Sequence, residues 1–242
     1  YYETIQRYLD HLIRNAREGT LDFGIDDHKP VVTHTEGAYL SSGYLVGYTQ
    51  LFSRMANILG READARRYAE YSESARRAFN EKYYDLATAR YGNGGQTAQS
   101  LALYFDIPAP SERCRVLERL LAAVREHDGH FDVGVVGLKF IFNVLRDAGE
   151  SELLYKMVVQ REFPGFAYWL EQGANTLWQD WDGSMSLNHI MFATVNEWFF
   201  EAIAGIRIDE EQPGFAHFEV KPAFLEALQW ATASHDSVRG TV

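Results

Sequence analysis

A chain of 242 residues, 46% of them hydrophobic and 14% aromatic, can bury a large core, which excludes a disordered or low-complexity polypeptide. Its 34 acidic residues against 23 basic ones give a formal net charge of −11 that would repel a phosphate backbone; no Lys/Arg cluster offsets it, so nucleic acid is not an expected partner. No apolar run reaches the ~18 residues of a membrane span, and Cys114 stands alone, so neither a membrane nor a disulfide framework is expected and the lone cysteine reads as a small buried apolar side chain.

In chain order, Tyr1 to Glu18 places Ile5, Tyr8, Leu9, Leu12 and Ile13 on one face, and Gly19 closes this amphipathic helix. Leu21 to Thr35 has no period, holds Gly24 and Pro30, and gathers Asp26, Asp27, His28 and His34. It reads as a long polar loop of the kind that carries function. Leu40 to Leu59 and Glu62 to Tyr83 read as a helical hairpin with Gly60 between them. A turn cluster at Tyr91 to Gly95 precedes a short helix, Thr97 to Phe105, which Pro108 and Pro110 break. A helix to Glu126 begins at Ser111 and Glu112, followed by the Gly-punctuated polar loop 127–137 and helices over 138–145 and 151–159. Ile190 to Ala204 reads as a last aromatic helix. After Pro213 the alternation His217-Phe-Glu-Val-Lys suggests strand, and 228–242 the opening of a β domain.

About nine helices, joined alternately by short turns and longer Gly-rich loops, fit a toroid of paired helices with the long loops on one rim. The loops of Asp27, Asp132 and Asp180 are then expected at one mouth. Periodicity alone leaves a toroid and a generic bundle even, while the absence of an internal repeat disfavours a solenoid. The division expected is residues 1–212 as helical domain and 213–242 as β segment.

The most informative stretch is Gly173 to His189. Trp178, Gln179, Asp180, Trp181, Asp182, Asn188 and His189 fall within it, a mixture that suits a sugar. Indole faces pack on the C–H face of a pyranose, while carboxylates, amides and imidazole take its hydroxyls. His127 and His130 are three apart with no third ligand placed by spacing, so no metal site is expected. There is no phosphate loop, nucleotide fingerprint or Ser-His-Asp signature.

Several motifs in order resemble the catalytic domain of family 78 glycoside hydrolases, the inverting α-L-rhamnosidases. These are the hairpin from Tyr44 to Tyr83 with its Met55 to Gly60 turn, then Gln96-Thr97, Phe131 to Lys139, and Phe163-Pro164. Gly173 to Trp178, Ser186 to His189, Glu197-Trp198, Ala204 to Ile206 and Val220 to Pro222 continue the series. The resemblance runs from Tyr1 to about Phe224. It implies an all-α, (α/α)6 toroid whose opening helices lie outside this chain, with the start of a C-terminal β domain, as part of a longer polypeptide. It also implies a rhamnoside as carbohydrate partner and hydrolysis by two carboxylates without a cofactor.

The family pattern Trp-Glu-x-Trp supplies the general base; here the run is Trp178-Gln179-Asp180-Trp181. An amide cannot accept that proton at neutral pH. Three readings stay open: Gln179 is an engineered Glu→Gln change made to trap a sugar, the base is Asp180 or Asp182, or the protein binds sugar without cleaving it. By resemblance His189 contacts sugar, and Asp27 stands where the family has Gly-Asp-Trp, with His28 in place of that Trp. Asp132 and His130 lie in the fourth loop, where a turn or cap role competes with ligand contact. Of Trp178 and Trp181, one is expected inward and one at the pocket; Phe166 replaces a pocket-facing Trp for which Trp169 compensates. The family's general acid is expected upstream of this chain. A carbohydrate-binding pseudoenzyme on the same fold is the competing class, and a polysaccharide lyase is weaker, because 173–189 contains no Arg or Lys.

Overall fold

The computed structural model describes residues 1–209 and 212–242. The chain divides into two compact units, Tyr1–Ile141 and Phe142–Val242.

In the first unit, α1 (Tyr2–Asn15), α2 (Gly37–Ile58) and α3 (Glu62–Tyr83) pack in sequence. Leu9, Leu12, Leu21, Leu45, Phe52 and Tyr68 form their shared core, as the one-sided spacing of α1 requires. A two-stranded hairpin pairs β1 (Tyr84–Asp85) with β2 (Arg90–Tyr91). Then come α4 (Gln96–Tyr104), α5 (Arg113–Glu126) and α6 (Val135–Asp147), which starts three residues before the expected position and runs on into the second unit. Cys114 is exposed, not buried. It lies two residues from buried Val116, about 200° around the helix, so it shares the outward face with Arg113 and Arg115.

The second unit continues with α7 (Ser151–Val158) and α8 (Phe166–Glu171). A long irregular stretch leads to a 3₁₀ turn, Ile190–Phe192. α9 (Thr194–Trp198) and a π-helical turn, Phe199–Ile203, follow. The single aromatic helix expected over 190–204 is therefore three short segments of different pitch. β-structure begins before Pro213: β3 (Ile206–Ile208) pairs antiparallel with β4 (Phe218–Val220), and β5 (Asp236–Ser237) with β6 (Gly240–Thr241). Among the described residues no helix is long and apolar enough to cross a membrane.

Candidate active site

Residues 176–189 fold back on themselves. Gln179 N donates to Ser186 O at 2.9 Å, His189 N donates to Leu177 O at 2.8 Å, and Thr176 Oγ1 donates to Leu187 O. Along the first arm burial alternates: Leu177 and Gln179 are half-buried, whereas Trp178 and Asp180 are 7% and 1% exposed. The backbone bends at Gln179 and Asp180, and Trp181 beyond them is buried again. Asp180 is drawn into the fold while its neighbour Gln179 stays half-buried. The Asp180 carboxylate accepts from Ser184 Oγ at 2.7 Å and Met185 N at 3.4 Å, so it ties the tip of the loop. Asp182 is exposed and accepts from Ser184 N at 3.0 Å, forming the turn. The turn needs Gly183: its φ is +72°, and a Cβ there would sit 2.7 Å from the Trp178 ring.

Beneath the loop lies an aromatic floor. Trp181 packs on Phe192, Trp169 and Phe166 with centroid separations of 4.7, 5.4 and 5.4 Å, and Trp178 lies 5.6 Å from Trp169. Trp169 Nε1 donates to Trp181 O at 2.9 Å, so the buried indole nitrogen is satisfied and pins the loop. Trp169 and Trp181 are each 2% exposed, so neither Trp178 nor Trp181 stands at an open face, and Trp169 serves mainly as floor. The cause is mutual packing of the three indoles with one another and with Phe166 and Phe192. His189 is half-buried; its Nδ1 accepts from Met191 N at 3.2 Å, capping the 3₁₀ turn, which fixes the ring and leaves Nε2 as the proton-bearing nitrogen.

In the first unit, Asp27 and Asp132 are each 1% exposed. The Asp27 carboxylate accepts from Thr97 Oγ1 at 2.6 Å, Gly134 N at 2.8 Å, Val136 N at 2.9 Å and Gly137 N at 3.3 Å. Burial pushes its pKa up from the ordinary aspartate value, and these donors oppose that rise. Asp132 accepts from Val32 N at 2.7 Å, from Thr33 N at 3.1 Å and from His127 Nε2 at 3.1 Å. Both carboxylates expected to meet sugar are thus engaged by protein donors. His28 is half-buried and its backbone oxygen accepts from Val135 N at 3.0 Å; the His130 oxygen accepts from Gln96 Nε2 at 2.9 Å. His127 pairs with Asp132 rather than with His130, and among the described residues no group of three or more His, Cys, Asp or Glu is arranged to hold a metal ion. Gln96, Thr97, Gly134 and Gly137 carry this network without having been assigned a role from sequence; the spacing of the two glycines was the available signal.

Residues 1–203 match the bacterial α-L-rhamnosidase 6 hairpin glycosidase domain. The chain belongs to this family. Residues 205–242 match the C-terminal domain of bacterial α-L-rhamnosidases. The expected fold class, a helical (α/α)6 glycosidase domain leading into a β segment, holds. Among curated rhamnosidases, that of Alteromonas sp. (strain LOR) is 28% identical over 220 residues, covering 86% of this chain and 24% of that protein. That of Streptomyces avermitilis is 26% identical over 249 residues, covering 98% and 23%. The structure of the α-L-rhamnosidase from Dictyoglumus thermophilum superposes with a TM-score of 0.90 at 31% identity, over 99% of this chain and 28% of that one. The Streptomyces avermitilis enzyme complexed with L-rhamnose superposes at 0.93 with 25% identity, over 99% and 24%. This chain spans about a quarter of the length of the curated rhamnosidases it matches.

Proposed function

We propose that this chain supplies the water-side half of a glycosidase that removes terminal α-L-rhamnose with inversion, and that residue 179 occupies the seat of the general base. The observation carrying this is the alternation along 177–180, which supports Gln179 as the polar side chain offered outward while Asp180 is consumed inside the fold. In an inverting pair one carboxylic acid protonates the leaving oxygen and a carboxylate roughly 6.5–9.5 Å away deprotonates water on the opposite face of the ring. Gln179 has the length and hydrogen-bonding shape of Glu and can orient water or a sugar hydroxyl, but it cannot take the proton. His189, with Nε2 as a donor, is the second sugar contact. Asp182, exposed at the turn, is the alternative base.

The amide at 179 specifically favours a second reading, a protein that binds rhamnosides without cleaving them. Two variants of the complete polypeptide separate the readings on an aryl α-L-rhamnoside. If 179 is the seat of the base, Gln179→Glu raises the rate by about the 10²–10⁴ that general-base catalysis supplies. A silent Gln179→Glu, with an active parent that loses activity in Asp182→Asn, moves the base to Asp182. If no form hydrolyses a rhamnoside while the parent binds L-rhamnose in calorimetry, the binding reading stands.

A further inference from the structure

Two loops of the first unit, 26–35 and 127–137, each bury an aspartate in the backbone of the other. α6 begins at Val135, and the opening N–H groups of a helix have no partner within it. Asp27 supplies the acceptor from more than a hundred positions away, taking Val136 N and Gly137 N together with Gly134 N ahead of them. A carboxylate at a helix entrance also meets the positive end of the helix dipole. In return, Asp132, just before that entrance, takes Val32 N and Thr33 N from the loop that carries Asp27. Val135 N to His28 O at 3.0 Å joins the same two loops a third time, and the Gln96 side chain holds both sides of 131, donating to His130 O and accepting from Asp132 N at 3.0 Å.

The spacing of Gly134 and Gly137 has its reason here. A Cβ at Gly134 would lie 2.2 Å from His28 O and 2.6 Å from Asp27 Oδ1. One at Gly137 would lie 2.0 Å from Thr97 Oγ1. Any side chain at either position would push the loops apart, and the carboxylate would lose its donors.

We propose that Asp27 and Asp132 are positioning residues that form one reciprocal clasp, so that loops 26–35 and 127–137 order and open as a unit. Each carboxylate holds the segment that carries the other, and neither loop can move away while the opposite bond set stays intact. Four of the eight histidines of the chain, His28, His34, His127 and His130, ride on these loops.

Amide hydrogen exchange on the complete polypeptide tests this, comparing the parent with Asp27→Asn and Asp132→Asn. Each substitution removes at least one charge-assisted hydrogen bond, equivalent to about tenfold or more in an opening equilibrium. In Asp27→Asn, exchange is expected to quicken about tenfold at 134–137 and also at 32–33, where Asp132 is untouched; Asp132→Asn should give the mirror result. Exchange that quickens only where the acceptor was removed overturns the clasp. If Asp27→Asn does not fold, Thr97→Val, which removes only one hydroxyl donor, should show the same coupling to a smaller degree.

Discussion

Loops 26–35 and 127–137 and the stretch 173–189 look alike in sequence, each holding two aspartates and at least one histidine, yet their polar groups differ in fate. In the first unit Asp27 and Asp132 are buried and face backbone N–H groups, a hydroxyl and one imidazole. In the second unit the buried groups are indoles, and Gln179, Asp182 and His189 are left half-buried or exposed above them. A carboxylate whose oxygens are already taken by protein donors has little left for a ligand. Within 173–189 Asp180 shares the fate of Asp27 and Asp132, buried on protein donors, whereas Gln179, Asp182 and His189 keep accessible surface for the proposed chemistry.

That contrast breaks most visibly on stability. Asp132→Ala leaves two backbone donors and an imidazole without their acceptor in a closed space, and about 3–5 kcal/mol of unfolding free energy should be lost, read from urea denaturation. A loss below about 1 kcal/mol would mean the site is wet and its donors find water.

A smaller effect belongs to Asp27 and pH. Burial raises its pKa in the folded protein. A raised carboxyl contributes its stability fully below the unfolded value, about 3.9, and loses it as pH rises through the folded value. The parent should therefore lose stability across a window opening at the ordinary aspartate value, and Asp27→Asn should lack that decline. Parallel curves for the two proteins across that window would place the titration elsewhere. The smallest effect is expected in the other region: Asp182→Asn should change stability by no more than about 0.5 kcal/mol, as exposed substitutions do. A cost as large as that of Asp132→Ala would erase the distinction between the regions.

Much of this was legible in the sequence where the governing contacts are local. α3 spans Glu62–Tyr83 as its periodicity indicates, because one face of Tyr68, Ala75 and Phe79 is buried along its whole length. The six residues of α8 are too few to display a period, and the break of 190–203 into 3₁₀, α and π turns follows from packing that no spacing encodes. In 173–189 the density of aromatic and polar residues marked the region, but the inward turn of all three tryptophans is a tertiary outcome. Helical geometry would separate Gln179 from Asp180 by about 100°; in the structure the backbone bends at both residues and only Asp180 is buried. The fate of Asp27 was hidden because its donors lie 70 to 110 positions away. Only the paired glycines at 134 and 137 hinted that something must approach that helix entrance closely.

The most direct measurement is a crystal structure of the complete polypeptide with L-rhamnose bound. The expected result places the Gln179 amide and His189 Nε2 within hydrogen-bond distance of the sugar or of a water on its far face, with every oxygen of Asp27 and Asp132 still on protein donors. A sugar hydroxyl bonded to Asp27 or Asp132, with the Gln179 side chain turned away from the ring, would contradict the division between the two regions and the seat assigned to residue 179.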